Sequence, residues 1–407
     1  MSFQQGLSGL SAAAKNLDVI GNNVSNSNTV GFKRAEAQFS DVYANSLNGG
    51  GAGSQVGIGT KVSAVLQQFS QGNITASENP LDVAINGAGF FRFSNNGTIS
   101  YSRNGQFQLD NLGYIVNATG ARLTGYTADV NGVLDTSAPQ ELKINTADLA
   151  PQATTKVDAL LNLDSRQAAI TAPFNLADPT TFNHSTSVSV YDSLGNPHVM
   201  SSYYVKTAAG TWDVYAAVDG VQVGSAAVGT LHFTPAGAID TSATTLPFSI
   251  SVPVTTGATS PMTYGFDFAG TTQFGSNFGV NALSQDGFAS GRLSGFNIGA
   301  DGVILGRYTN GRSSKLGQVI LANFANPQGL EPLGNNAFAE SSHSGTPLIG
   351  PPNTGSRGVL QASAVEDSNV DLTAELVNMI TAQRVYQANA QTIKAQDQVL
   401  QTLVNLR

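Results

Sequence analysis

Both ends of this chain carry a heptad spacing of apolar and small residues, which commits the termini to helices. Near the N-terminus Phe3, Leu7, Leu10, Ala14, Leu17, Gly21 and Val24 are separated alternately by four and three residues. That is the rhythm of a helix packing along one seam. Near the C-terminus the same rhythm runs longer, through Leu372, Leu376, Met379, Gln383, Tyr386, Ala390, Ile393, Asp397, Leu400 and Val404. Val377, Ile380, Val399, Leu403 and Leu406 widen this stripe, and Gln383 and Asp397 interrupt it. Ser368 reads as an N-cap, with Asp371 and Glu375 as acids suited to a helix N-terminus. No Gly or Pro follows before Arg407, so the helix runs about 50 Å at 1.5 Å per residue, against about 33 Å for the first. The two can pair with each other. A lone pair would leave its outer apolar residues wet, so the wide stripe predicts further helical neighbours and order on assembly.

The first seam runs into "NNVSNSNTVGFKR" at 22–34. Asn22, Asn23, Ser25 and Asn26 compete for backbone hydrogen bonds and end the helix, while Gly31 frees the backbone to turn. Phe32 is expected to anchor on a neighbour, with Lys33 and Arg34 solvated or paired with acids. The Gly-rich "NSLNGGGAGSQVGIGT" that follows reads as a flexible linker. The stretch is therefore expected to act as a joint, with mobility near Gly31 and Gly49 to Gly59.

From about residue 71 the texture becomes strand-like. "NNGTISYSRNGQFQLDNLGYIV" places Asn96-Gly97 and Asn104-Gly105 between alternating runs, a hairpin signal. "GADGVILGRYTNGRSSKLGQVIL" repeats that grammar with Asp301-Gly302 and Asn310-Gly311, as the partner half of one β domain or as a coincidence of common hairpin chemistry. Between them "STSVSVYDSLGNPHVMSSYYVKTAAGTWDVYAAVDG" alternates and turns at Leu194-Gly195-Asn196-Pro197, with Trp212, Tyr203, Tyr204 and Tyr215 as core and cross-strand aromatics. The expected fold is α+β and multidomain. A helical core of 1–30 and 364–407 and a linker over 31–70 carry two nested, mainly antiparallel β domains, at 71–145 with 280–363 and at 146–279.

Only 11% of the 407 residues are charged, against about 25% in ordinary domains. Such a surface suits an extracellular β protein, or one that meets other protein where charges are costly to desolvate. A net charge of −8 argues against nucleic acid. There is no cysteine, hence no disulfide frame or thiolate site. No apolar run has the length of a membrane span, and "MSFQQGLSGLSAAAKNLDVI" is not a cleaved signal peptide.

Catalytic readings fail one by one. The four histidines, at 184, 198, 232 and 343, make no ligand-spaced pair, and His198 and His232 read as satisfied structural residues in strands. "GGGAG" at 49–53 lacks the Lys-Ser/Thr of a phosphate loop, "GAGFF" at 87–91 runs into a strand, and "ADGVILG" lacks the oxygen ligands of a calcium loop. No carboxylate pairing suggests glycosidase chemistry. No catalytic, cofactor or metal residue is assigned.

"NNVSNSNTVGFKR" resembles the N-terminal signature of the flagellar rod and hook axial protein family, with Asn22, Asn23, Asn26, Thr29, Gly31, Phe32, Lys33 and Arg34 at matching positions. "SNVDLTAELVNMITAQRVYQANAQTIKAQDQVLQTLVNL" is similar to the family's closing motif. The middle, in "LGQVILANFANPQGLEPLGNNAFAES" and "VYDSLGNPHVMSSYYVKT", resembles the hook branch, and the shorter rod members lack so large an inserted β region. The resemblance implies a structural subunit that polymerises into a flexible hollow tube, a universal joint transmitting torque between the basal-body rod and the filament. Phe3, Leu7, Leu10, Ala14, Leu17 and Val24, with Leu372, Leu376, Met379, Tyr386, Ala390, Ile393, Leu400 and Val404, would form the polymer core. The implied partners are other copies of the chain, a rod protein proximally, a hook-filament junction protein distally, and the hook cap and flagellar type III export apparatus during assembly. The implied location is extracellular, reached from the cytoplasm without a cleaved signal peptide. No cofactor, nucleic acid or membrane insertion is implied. A distal-rod or other hook-associated axial protein is the neighbouring alternative. A secreted β-rich adhesin is the alternative from another class, and gives no reason for seams at both termini.

Overall fold

The structure, a computed structural model, describes residues 2–42, 57–130 and 132–405. It divides into two compact units, one of Met1–Asn145, Gly295–Gly306 and Ser313–Arg407, the other of Thr146–Ser294 and Arg307–Arg312.

The first unit opens with helix α1 (Ser2–Ser25) and closes with helix α2 (Leu372–Asn405). They lie antiparallel, Gly6 facing Ile393 and Gly9 facing Asn389. A Cβ on Gly9 would stand 2.9 Å from the Asn389 amide, so the missing side chain is what lets the helices approach. After α1 come strands β1 (Ala35–Val42) and β2 (Gly59–Gln67), an antiparallel pair with Ala35 opposite Gln67. The pair is tied to α1 where Gln5 Nε2 donates to Gly57 O at 2.6 Å and Thr60 N donates to Ser8 Oγ at 3.3 Å.

Strands β3 (Ile74–Ala76) and β4 (Val83–Asn86) pair with Ala364–Glu366 and Val359–Ala362. The chain thus enters and leaves the β body side by side. Strands β5 (Phe90–Asn95) and β6 (Thr98–Ser102) form the hairpin signalled by Asn96-Gly97, and both turn residues take positive φ, 51° and 89°. Their sheet recruits the late segment, with Leu321 opposite Phe91, Ala337 opposite Ser102 and Gly317 opposite Thr127. Phe90, Tyr101, Ala322, Phe324, Leu330 and Phe338 form one core of the body, with Phe69 edge-on to Phe90 at 5.2 Å.

The second unit stacks two sheets. One is ordered His184–Tyr191, Pro197–Ala208, Thr211–Val218 and Val221–Gln222, with Gly229–His232 also on Thr211–Val218. The other is ordered Phe248–Val252, Met262–Asp267, Lys156–Asn162 and Gly279–Gln285, with one parallel pair. Alternate residues of both sheets point into a core that holds Trp212, Tyr204, Phe266 and Phe268. Trp212 Nε1 donates to Gln273 Oε1 at 3.0 Å, so its polar edge is satisfied.

One loop recurs in both units. In the loops beginning at residues 110, 117, 192, 234, 299 and 308, the first residue donates its N–H to the carbonyl four residues on. Its own carbonyl accepts from a glycine three residues on, each with φ between 78° and 86°. This is a type I turn closed by a left-handed glycine. Asp110, Asn117 and Asp192 add a side-chain oxygen to the same loop.

Several expectations are corrected. The 31–70 stretch is not a linker in its described part, because alternating residues let 35–42 and 59–67 pair as strands; residues 43–56, with the glycines at 49–53, lie outside the described residues. The helices and the first β body form one unit, and the second unit reaches Ser294 rather than 279, since Gly279–Gln285 pairs with Lys156–Asn162. The N-cap of α2 is Asp371, whose Oδ1 accepts from Thr373 N at 2.9 Å and Ala374 N at 3.1 Å, not Ser368. Asn104-Gly105 closes no hairpin. It lies in a loop that crosses Val83, whose N–H donates to the Gly105 carbonyl at 2.9 Å.

Candidate functional site

Where α1 ends, its backbone donors and acceptors are taken up locally. Asn26 Nδ2 donates to Asn22 O at 3.0 Å, and Thr29 Oγ1 to Asn26 Oδ1 at 3.2 Å. Gly31 then takes φ 72°. A Cβ there would stand 2.6 Å from Asn104 N, so only glycine fits. Gly31 N donates to Glu366 O at 2.7 Å.

The next two residues enter a polar junction. Lys33 Nζ lies 2.7 Å from Glu366 Oε1 and 2.8 Å from Ser70 O. Arg103 Nε lies 3.0 Å from Glu366 Oε2, an ion pair without hydrogen-bond geometry. Arg103 also donates to the carbonyls of Gly87 and Gly89, at 2.9 and 2.6 Å through Nη1. Gly72 N donates to Glu366 Oε1 at 3.0 Å. All three charged side chains are within 4% of complete burial. Burial pushes the Lys33 ammonium and the Arg103 guanidinium below their ordinary values, with Glu366 pulling the other way.

Two asparagines flank this junction as backbone mimics. Asn23 exchanges two bonds with Ala35, and Asn369 Oδ1 accepts from Arg34 N at 2.7 Å while its Nδ2 donates to Gln68 O at 2.7 Å. Arg34 reaches the buried Glu375 of α2 at 3.5 Å. The segment read as a joint at Gly31 is held by bonds on both sides. Lys33 is paired and buried, Arg34 and Phe32 are half-buried, and the segment is bonded to α2 and to the β body. Sequence reading missed Glu366, Arg103 and Asn369, which spacing cannot connect to residue 33 or 34.

The helix faces also differ from the expected seam. In α1 the closed face is Gly6, Ala13, Ile20 and Asn23 with Ala12 beside it, one residue before the seam positions Leu7, Ala14, Gly21 and Val24. Phe3 and Leu7 stay exposed, and Leu10, Ala14, Leu17 and Val24 are half-buried. In α2 the closed face is Glu375, Ala382 and the half-buried Met379, Asn389 and Ile393. Leu372, Leu376, Val377, Ile380, Val385, Tyr386, Val399 and Leu400 are exposed, and Ala390 is half-buried. The side chains of Leu403 and Val404 and all of Leu406 lie outside the described residues. A groove of about 590 Å³ runs between the helices and β1, floored by Gly9, Ala12, Ala13 and Ala382 and walled by Ile20, Phe39 and Val385.

No group of three or more His, Asp or Glu side chains among the described residues is placed to hold a metal ion. His198 is satisfied by Asp219 Oδ2 at 2.6 Å and Asp192 Oδ2 at 3.4 Å. No helix among the described residues is long and apolar enough to cross a membrane.

Comparison with known proteins places this arrangement. Residues 3–33 match the family described as Flagella basal body rod protein, and 361–406 the Flagellar basal body rod FlgEFG protein C-terminal. Residues 84–165 match the Flagellar hook protein FlgE/F/G D1 domain, and 162–288 the Flagellar basal body protein FlaE D2 domain. The Flagellar hook protein FlgE of Escherichia coli K12 is 43% identical over the whole of both chains. The chain belongs to the flagellar hook protein family. The hook protein of Borreliella burgdorferi is 32% identical over all of this chain and 99% of its own. The crystal structure of Helicobacter pylori flagellar hook protein FlgE2 covers 72% of this chain and 99% of its own at TM-score 0.53; at 14% identity it shows a shared fold. As a hook family member the chain is a structural subunit of the bacterial flagellum and not an enzyme.

Proposed function

We propose that the chain builds the hook by burying the open faces of α1 and α2 against the helices of neighbouring copies, so that these helices form the inner wall of a hollow tube. One observation carries the reading: large apolar side chains stand exposed on both terminal helices, Phe3 and Leu7 on α1 and Leu372, Leu376, Ile380, Val399 and Leu400 on α2. Each fully buried side chain of this kind contributes about 1.5–3 kcal/mol, so repeated contacts supply the drive for polymerisation. The two helices present different faces, which makes head-to-tail contacts that need not close and suits a helical filament. A rod protein below, a junction protein above, a cap during growth, and export through the flagellar type III apparatus without a cleaved signal complete the reading.

The test is electron microscopy after salt-induced assembly. The paired substitution Leu376→Gln with Ile380→Gln removes apolar surface that stands 45% and 53% exposed. It should leave the monomer's circular dichroism unchanged and abolish tubes. Normal tubes from this variant would count against the helices as the polymer core. Deleting the termini is a poorer test, because Glu366 lies in the part removed.

A further inference from the structure

The buried junction of Lys33, Glu366 and Arg103 is unused by the polymerisation reading, which concerns the open helix faces. It gathers five stretches of chain. Lys33 follows α1, Ser70 and Gly72 follow β2, Gly87 and Gly89 precede β5, Arg103 follows β6, and Glu366 ends the strand leading to α2. One carboxylate thereby binds both helix roots to the β body.

Two cations face one anion here, so the junction holds a surplus positive charge away from water. The carbonyl oxygens of Ser70, Gly87 and Gly89 are aimed at those cations. The positive φ of Gly87 and Gly89, 109° and 126°, turns both carbonyls to one guanidinium, which gives "GAGFF" a purpose. Such a cluster is a poor way to gain stability, since buried ions repay their desolvation only when every bond is made. What it does supply is direction: each bond fixes a distance and an angle, whereas apolar packing tolerates sliding. The neighbouring bonds of Asn23, Asn369 and Arg34 hold the same segments from the flanks.

We propose that the Lys33–Glu366–Arg103 junction is the torsional weld of the subunit: its residues are positioning residues that hold the helix pair at one attitude to the β body, so that helical core and β body turn together under torque. Bending of the hook, on this view, takes place elsewhere.

The experiment replaces the triad by apolar residues of similar size, Lys33→Met, Arg103→Met and Glu366→Leu together, in the full chain. Thermal unfolding is measured on the monomer, and torsional and bending stiffness on hooks assembled on cells. The expected result is retained folding and assembly, retained bending stiffness, and a loss of torsional stiffness. A merely structural role would move the unfolding midpoint and leave the torsional response of assembled hooks alone. Should the triple variant fail to fold, Glu366→Asp decides, since it keeps the charge but is one methylene too short to hold both cations. Torsional softening in that variant supports the weld. Torsional stiffness equal to the parent chain, in the triple variant or in Glu366→Asp hooks, overturns it.

Discussion

Asn23 holds Ala35 as a strand neighbour would: its Nδ2 donates to Ala35 O at 2.8 Å, and Ala35 N donates to its Oδ1 at 2.9 Å. The side chain is 1% exposed. A single asparagine therefore supplies both backbone partners of the residue that begins β1, next to the last turn of α1. Asn23→Ala leaves the half-buried Ala35 N–H and C=O without these partners, and a fully buried group of this kind costs about 1–3 kcal/mol. Urea unfolding of the monomer, followed by the helical circular dichroism signal, should show a loss of about 2 kcal/mol or more. An unchanged midpoint would show that water replaces the amide.

Gly31 and Gly97 both have positive φ, but only Gly31 is crowded. At Gly97 a Cβ would meet nothing within 4 Å, whereas at Gly31 it would stand 2.6 Å from a backbone nitrogen. Gly97→Ala should therefore cost only the left-handed penalty, about 1–2 kcal/mol. Gly31→Ala should cost more, because the β6 loop must also move. Parallel thermal melts of the two variants check the order.

In α1 the sign of a glycine substitution should depend on its face. Gly21 has open space around its missing Cβ, so Gly21→Ala should stabilise by about 0.5–1 kcal/mol through helix propensity. Gly9→Leu should destabilise, because it drives the helix away from Asn389. Helical content against temperature distinguishes the two.

The second unit should weaken at alkaline pH. Burial pushes the His198 imidazole down, but the carboxylates of Asp219 and Asp192 outweigh it and raise the pKa above its ordinary value. A group raised in the folded state adds stability that is complete below its unfolded value, about 6.5. That stability is lost as pH rises through the folded value. Asp192 and Asp219 are held below the usual carboxylate range, so their contribution is lost only towards acid. The single tryptophan, Trp212, lies in the core of this unit, so its fluorescence reports the transition. The stability gap between the parent chain and His198→Gln should be widest at mildly acidic pH, below about 6.5 but above the carboxylate range, and shrink as pH rises.

The helices were legible because periodicity survives without tertiary knowledge, and Asn96-Gly97 because its turn chemistry is local. The face of the helices was not. A heptad reading follows bulky residues, and here Phe3, Leu7, Leu376 and Leu400 stand on the open side while Gly6, Gly9 and Ala13 make the close intrachain approach. Glycine and alanine carry little hydrophobic signal, although their lack of bulk is what lets the helices touch. The strands at 35–42 and 59–67 were masked by the glycine-rich text between and beside them. The pairing of Lys33 was beyond any local reading, because its carboxylate lies 333 residues away. The recurring turn could have been found from sequence. "LDNLGY", "YDSLGN" and "FTPAGA" share a glycine three residues after its opener, a spacing that dipeptide searches pass over.

The separation between Lys33 and Glu366 also sets an order of events in time. A chain supplied from its N-terminus presents Lys33 almost first and Glu366 almost last. Until the final segment arrives, the lysine has no carboxylate to meet and the root of α1 has only Ala35 and Ser70 to close on. The early part therefore gains the last of its fixed contacts only when that distant carboxylate is in place.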